Sequence, residues 1–307
     1  MKTFKNKVAA VTGAGSGIGQ AIAIALAKQG CHLALSDISE AGLAKTVGQL
    51  SAYPVKVTTQ KVDVAKRTEI ADWAKAVVNE HGQVNLIFNN AGVAIGSTAE
   101  GVSYEDLEWL IGINFWGVVY GTKEFLPYLK QSGDGHIINI SSMFGLTAQP
   151  TQSAYNASKF AVRGFTESLR QELDLQNAGV SATCVHPGGI RTNIAKAARM
   201  NNSVQSLGMD PLKSQDAFDK LLRTPADAAA QQILEAVRKN RRRLLIGADA
   251  KVVDVIQRIL PQGYQKIFAT ATALQTRLLN KSANQQNKNS GQHSLTFKRC
   301  WSINDKL

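Results

Sequence analysis

A chain of 307 residues with a net charge of +12 has room for one large α/β domain, or for one domain with an appendage. The charge is unevenly placed: residues 238–307 hold 14 Lys and Arg against 3 acids, while 1–237 hold 21 against 20. A near-neutral body with a basic C-terminal region excludes a uniformly basic nucleic-acid binder. The sequence has no run of about 18 apolar residues to span a membrane, and Met1-Lys2-Thr3-Phe4-Lys5 leads into a strand rather than reading as a secretory leader. The three cysteines, Cys31, Cys184 and Cys300, are far apart. They fit a reducing, cytoplasmic compartment and suggest neither a disulfide framework nor a metal site.

In chain order, 8–11 reads as a buried strand and Gly17 to Gln29 as a helix with Ile18, Ile22 and Leu26 on one face. A second strand at 33–35 precedes a helix after Ser39, and a third near 55–62 precedes a helix at 67–80. A fourth, 86–88, is followed by one long helix at 104–130 with Pro127 near its end; a fifth, 136–140, is followed by a helix at 153–177. A sixth strand at 180–185, a helix near 225–239 and a seventh strand at 243–246 complete the alternation. Short apolar strands alternating with helices mean a parallel sheet covered on both faces. The expected fold is therefore α/β, a doubly wound seven-stranded parallel sheet of Rossmann type.

Two regions depart from this rhythm. Residues 193–224 are loosely patterned, and 249–279 look like two helices broken at Pro261-Gln262-Gly263. From about 280 onward Asn, Gln, Ser and Lys dominate, as in a disordered tail. The division expected is a nucleotide-binding and catalytic domain at 1–250, with 193–224 as a substrate lid, and a basic helical extension at 251–307.

Thr12-Gly13-Ala14-Gly15-Ser16-Gly17-Ile18-Gly19 follows the first strand and opens the first helix. Glycines there let the backbone approach a pyrophosphate, and the helix N-terminus offers N–H groups and a favourable dipole. Asp37 ends the second strand, 18 residues after Gly19. An acid at that place accepts hydrogen bonds from adenosine ribose hydroxyls and repels a 2′-phosphate, which favours NAD(H) over NADP(H). The other reading is that Asp37 caps the next helix. Asp63, followed by Val64 after the third strand, reads on its own as a cap for the next helix.

Tyr155 and Lys159, four apart at the start of a helix, share one face. A free Tyr, with a pKa near ~10, is a poor base at neutral pH, and a nearby ammonium is expected to lower that value. Ser142, 13 residues before Tyr155, ends the fifth strand, where ligand-facing residues of a parallel sheet belong. Asn89-Asn90-Ala91-Gly92 ends the fourth strand and converges on the same crevice; Asn114 lies inside the following helix, where Asn is not favoured. Each of these, taken alone, is also explained by packing or capping.

Together these residues resemble the classical short-chain dehydrogenase/reductase family in order and approximate spacing, as does Pro187-Gly188 followed by Thr192. The resemblance covers about residues 5–250. It implies Tyr155 as general acid/base, Lys159 as its partner and a ribose anchor, Ser142 as the group orienting the substrate oxygen, and Asn114 as holder of a water linking Lys159 to solvent. It implies cofactor contacts at Gly13, Ser16, Gly17, Ile18, Gly19, Asp37, Asp63, Val64, Asn90, Ala91, Gly92, Tyr155, Lys159, Pro187, Gly188, Ile190 and Thr192, with no metal. It also implies a homo-oligomer, dimeric or tetrameric, built on the two long helices.

The substrate expected is a small alcohol or carbonyl compound. Val93, Ala94, Ile95, Met143, Phe144 and Leu146 near the site, with Ile194, Met200, Val204, Leu207, Met209 and Leu212 in the lid, suit a hydrophobic or long-chain substrate; core packing explains them equally. Residues 251–281 combine an apolar face with Lys and Arg, which suits peripheral contact with an anionic membrane or a helix packed on the body or on a subunit neighbour. Competing readings are an NADPH-dependent 3-oxoacyl reductase, against which Asp37 and the uncharged Ser16 count, a nucleotide sensor without turnover, and a lipid-binding module at a membrane surface.

Overall fold

The computed structural model describes residues 1–278. The tail read as disordered lies outside the described residues, as do Lys281 and Cys300.

The first strand shows why the sheet forms. In Val8–Thr12 (β1) successive side chains point to opposite faces, and both faces are apolar: Ala9 and Val11 enter one core, Val8 and Ala10 the other. The same double burial holds for Leu86–Asn89 (β4) and Gly135–Ile140 (β6). His32–Asp37 (β2), Val57–Lys61 (β3), Val180–Pro187 (β7) and Arg243–Ile246 (β9) complete a seven-stranded sheet in the order β3-β2-β1-β4-β6-β7-β9, every pairing parallel. A second, two-residue pair joins Ile95–Gly96 (β5) to Arg199–Met200 (β8).

Helices cover both faces. Gly17–Ala27 (α1), Glu40–Leu50 (α2) and Ala226–Arg238 (α8) bury Ile22, Leu26, Leu43, Ile233 and Leu234 on one side. On the other, Arg67–His81 (α3), Gly117–Gln131 (α5) and Ser153–Gln176 (α6) bury Trp73, Val77, Phe125, Leu129 and Leu169. Strand order reverses between β1 and β4. That opens a crevice beyond their carboxyl ends, the usual ligand position in such sheets.

Two features differ from expectation. The helix expected at 104–130 is Tyr104–Ile111 (α4), a π-helical turn at Gly112–Trp116, and then α5. A π turn holds one extra residue against its neighbours, a shift that apolar spacing does not reveal. The 193–224 segment is not loose: after β8 come a 3₁₀ turn, Asn202–Leu207, and Pro211–Leu221 (α7), started by Asp210, whose carboxylate accepts Lys213 N–H at 2.9 Å. The C-terminal extension begins with Ala248–Ile259 (α9), followed by a helix at 263–278, the break falling at 260–262. That second helix lies against the body through Tyr264, whose hydroxyl accepts Ala148 N–H at 3.3 Å.

Candidate active site

The glycine turn is built by close approach. Gly13 and Gly17 have φ of +65° and +54°, a region unfavourable to residues with a Cβ. A Cβ on Gly19 would lie 2.1 Å from Gly13 O. Ser16 stands at the N-cap of α1 but makes no side-chain capping bond, so no side chain covers the first N–H groups of the helix, which include Gly17 and Ile18. Such an uncapped N-terminus fits an anion. Thr12 ties the turn to the next strand: its hydroxyl accepts Asn90 N–H at 2.9 Å and Ala91 N–H at 3.1 Å.

Asp37 faces this turn. Its carboxylate accepts Gly15 N–H at 2.9 Å and Ser39 N–H at 2.9 Å. The capping role falls instead to Ser39, which accepts from Gly42 N–H. Asp63 makes a local turn with Ala65 N–H at 3.0 Å, and Val64 is buried where a Cβ on Gly117 would touch it.

The loop after β7 closes the other side. A Cβ on Gly17 would lie 3.0 Å from the Thr192 methyl, so Thr192 sits over the glycine turn. The Ile190 side chain belongs to the core, which leaves its main chain for any ligand. Sequence reasoning missed the support of this loop: Asp249, in the first turn of α9, accepts Gly189 N–H at 2.6 Å and leaves no room for a Cβ at Gly188. The lone signal was an acid just after Gly247.

Ser142, Tyr155 and Lys159 meet at the end of β6, all nearly buried. The Tyr155 phenol is hydrogen-bonded to the Ser142 side chain. Lys159 Nζ lies 5.6 Å from the Tyr155 ring centroid and donates to Ile140 O at 3.1 Å. The Ser142 carbonyl faces His186 Nδ1 at 3.1 Å. A carbonyl only accepts, so Nδ1 carries the proton. Asn114 lies in the π turn, where its side chain holds Val93 at both ends, accepting from N–H at 2.8 Å and donating to C=O at 2.9 Å. Its amide also donates to Ser158 Oγ at 3.2 Å, and Ser158 donates to Tyr155 O at 2.8 Å. A Cβ on Gly92 would lie 3.2 Å from Asn114 Oδ1 and 3.5 Å from Lys159 Nζ. The structure thus brings Asn114, Gly92, Tyr155 and Lys159 together; Ser158 was not foreseen.

The electrostatics differ from the expected depression of the tyrosine. Burial pushes the Tyr155 phenol up to about 12, opposed by its bond to Ser142. Burial also pulls the Lys159 ammonium down to about 8. Removing both from water disfavours the charged form of each. Near neutrality the pair therefore rests as a protonated phenol beside an ammonium.

Beyond Tyr155 the walls are apolar. Phe144 meets the Tyr155 ring edge-on at 6.1 Å and stacks at 6.5 Å on Phe218 of α7. Val93, Ala94 and Trp109 pack around Ile95, Leu110 and Tyr155. Met200 packs over Gly96, and Ser203 binds Thr98 N–H at 3.1 Å, so the 193–224 segment is tied across this space. Among the described residues, no three His, Cys, Asp or Glu gather to hold a metal.

A doubly wound sheet with a glycine turn, an acid at the end of the second strand and a Ser-Tyr-Lys cluster at a strand end is the arrangement of a dinucleotide-dependent oxidoreductase. The chain belongs to the short-chain dehydrogenase family, whose pattern, described as short chain dehydrogenase, matches residues 7–203. It is 46% identical over 274 residues to the Mycobacterium tuberculosis oxidoreductase SadH, covering 89% of this chain and 98% of that protein. It is 30% identical to the CLA biosynthesis dehydrogenase/reductase of Lactiplantibacillus plantarum, covering 86% of this chain and 96% of that one. A short-chain dehydrogenase/reductase from Burkholderia phymatum, solved in complex with NAD, superposes with a TM-score of 0.79 at 30% identity, over 86% of this chain and 97% of that one.

Proposed function

We propose that the chain transfers a hydride between NAD(H) and the oxygen-bearing carbon of an alcohol or carbonyl whose remainder is apolar, with Tyr155 as the proton-transfer group. The observation that carries this is the buried cluster of Ser142, Tyr155 and Lys159 at the end of β6, with Lys159 Nζ 5.6 Å from the Tyr155 ring and Phe144 edge-on to that ring and stacked on Phe218. A bound nicotinamide supplies or accepts the hydride. In reduction Tyr155 gives its proton to the carbonyl oxygen, which Ser142 holds; in oxidation Tyr155 takes the proton from the alcohol. Lys159 stabilises a developing phenolate and binds the ribose. Asn114 keeps the Val93 segment and α6 in register and holds the water that connects Lys159 to solvent. Gly13, Ser16, Gly17, Ile18 and Gly19 cradle the pyrophosphate, Asp63 and Val64 border the adenine, and Asn90, Ala91, Gly92, Pro187, Gly188, Ile190 and Thr192 border the nicotinamide half.

Asp37 supports NAD(H) over NADP(H), because its carboxylate lies against Gly15, where a 2′-phosphate would meet it. The NAD found in the Burkholderia phymatum structure points the same way. Comparable turnover with NADPH would remove that part of the proposal. The division proposed is a catalytic domain at 1–250 with 193–224 as its lid and 251–307 as an extension. A cytoplasmic homo-oligomer, dimer or tetramer, joined through α5 and α6 suits the exposed aromatics Trp116 and Phe160.

The test is kcat/KM for NADH-dependent reduction of aldehydes and ketones of increasing chain length. Burial of one methylene contributes about 0.8 kcal/mol, or about fourfold per carbon. A flat or falling series would show that Phe144 and Phe218 merely pack on each other.

A further inference from the structure

The two C-terminal helices each have an apolar side that faces away from the body. In α9, Ala250, Val253, Asp254 and Ile256 turn inward. Val252, Val255 and Ile259, spaced three and four apart, are 56%, 53% and 70% exposed. In helix 263–278, Tyr264, Phe268, Thr272 and Thr276 recur every fourth residue and turn inward, while Ile267 and Leu274 are 47% and 57% exposed. Single exposed apolar residues are ordinary; five at helical spacing on consecutive helices make a face.

The charges beside this face have one sign. Lys251 and Arg258 flank the α9 stripe, and Lys266 and Arg277 flank the next. The only acids between 248 and 278 are occupied: Asp249 holds Gly189 N–H, and Asp254 is buried between Arg243 and Arg258. A second copy docking by the same face would set cations against cations. An anionic bilayer accepts both features, the apolar stripe at the acyl boundary and the cations among headgroups.

The face also has a place. α9 packs on the turn Met143–Gly145 that follows Ser142. The next helix is bound to Ala148 through Tyr264, and its Thr276 lies beside Gly208 of the 193–224 segment. We propose that the outer faces of α9 and helix 263–278 dock on an anionic lipid bilayer, beside the Met143–Gly145 turn and the 193–224 segment. The docking stands on these faces alone; entry of an apolar substrate from the bilayer rests on the functional reading above.

The test is flotation of the full chain with phosphatidylcholine vesicles, with and without one quarter phosphatidylglycerol. The intact protein should float with the anionic vesicles and be released by high salt. At about 1 kcal/mol per cation near the surface, Lys251→Ala with Lys266→Ala and Arg277→Ala should weaken binding about a hundredfold. Ile259→Asn with Ile267→Asn and Leu274→Asn should abolish what remains. Unchanged NADH binding and unchanged reduction of a short, soluble carbonyl show that both variants fold. Failure of the intact chain to float overturns the proposal, as does flotation of both variants like the parent. So does a fall in oligomer size on sedimentation of the Asn variant, which would assign the face to a second copy. Vesicle binding with a flat chain-length series would sink the apolar pocket and leave the docking surface standing.

Discussion

Replacing Tyr155 with Phe removes one oxygen and little else. The ring stays in its apolar cluster, edge-on to Phe144, so the fold loses only the phenol's bond to Ser142. That bond is worth about 1 kcal/mol, which lowers Tm by about 2 °C in a domain of this size. Chemistry should lose far more. A positioned proton donor contributes about 10²- to 10⁴-fold, or about 3 to 5 kcal/mol of transition-state stabilisation. The cofactor cradle of Gly13–Gly19 and Asp37 does not touch the phenol. NADH affinity, read by fluorescence titration, should therefore stay within about twofold of the parent while kcat for carbonyl reduction falls by the full factor. A variant turning over at near-parental rate would show that the proton comes from elsewhere. One that lost NADH binding in proportion to kcat would show that Tyr155 serves the cofactor site rather than the reacting oxygen.

Other outcomes follow from the same geometry. Because burial holds Lys159 at about 8, its charge is lost as pH rises through that value; kcat/KM for reduction should decline above about 8, and Lys159→Met should lack this inflection. Asp249→Ala frees Gly189 N–H and loosens the 187–192 loop; KM for NADH should rise on the order of tenfold with a smaller change in kcat, and an unchanged KM would remove the loop's dependence on α9. His136 is buried against Thr183 at 2.8 Å, and burial pulls its pKa from 6.5 down to about 3. Between those values the unfolded chain binds a proton that the folded chain does not. Stability should thus fall as pH drops below 6.5, by up to about 1.4 kcal/mol per pH unit, and level off below about 3. His136→Gln should show a shallower acid limb in denaturant melts, and an unaltered slope would discount this histidine.

β1, β2, β4, β6 and β7 were legible because each holds a short apolar run between turn signals; even β9, four residues long, stands out between the Arg cluster and Gly247. The cofactor turn and the Ser142–Tyr155–Lys159 set were legible because they are local in sequence and fall at strand ends. What was hidden is long-range or lacks a buried face. The β5–β8 pair has two residues a side, below any periodic window. α7 buries no residue fully, so it has no apolar stripe to detect, although Asp210 followed by Pro211 is a helix-start signal that could have been used. Asn114 looked misplaced in a helix until Val93 proved to be its partner. The pairing of Asp249 with Gly189 spans 60 residues. The direction of the Tyr155 shift depends on how deeply both partners are buried, which spacing alone does not specify.

The π turn at Gly112–Trp116 divides one rod into two with a phase step between them. Its surplus residue rotates everything after it by about 100° relative to an unbroken α-helix. α4 can then pack against α6 while α5 presents Phe125 and Leu129 to the sheet. Deleting a single residue from this turn would join the two phases into a smoother helix, yet turn one of the two faces away from its partner. Point substitutions along the rod can be absorbed one at a time; a change of length by one cannot. The segment 104–131 should therefore tolerate many changes of letter and almost none of count.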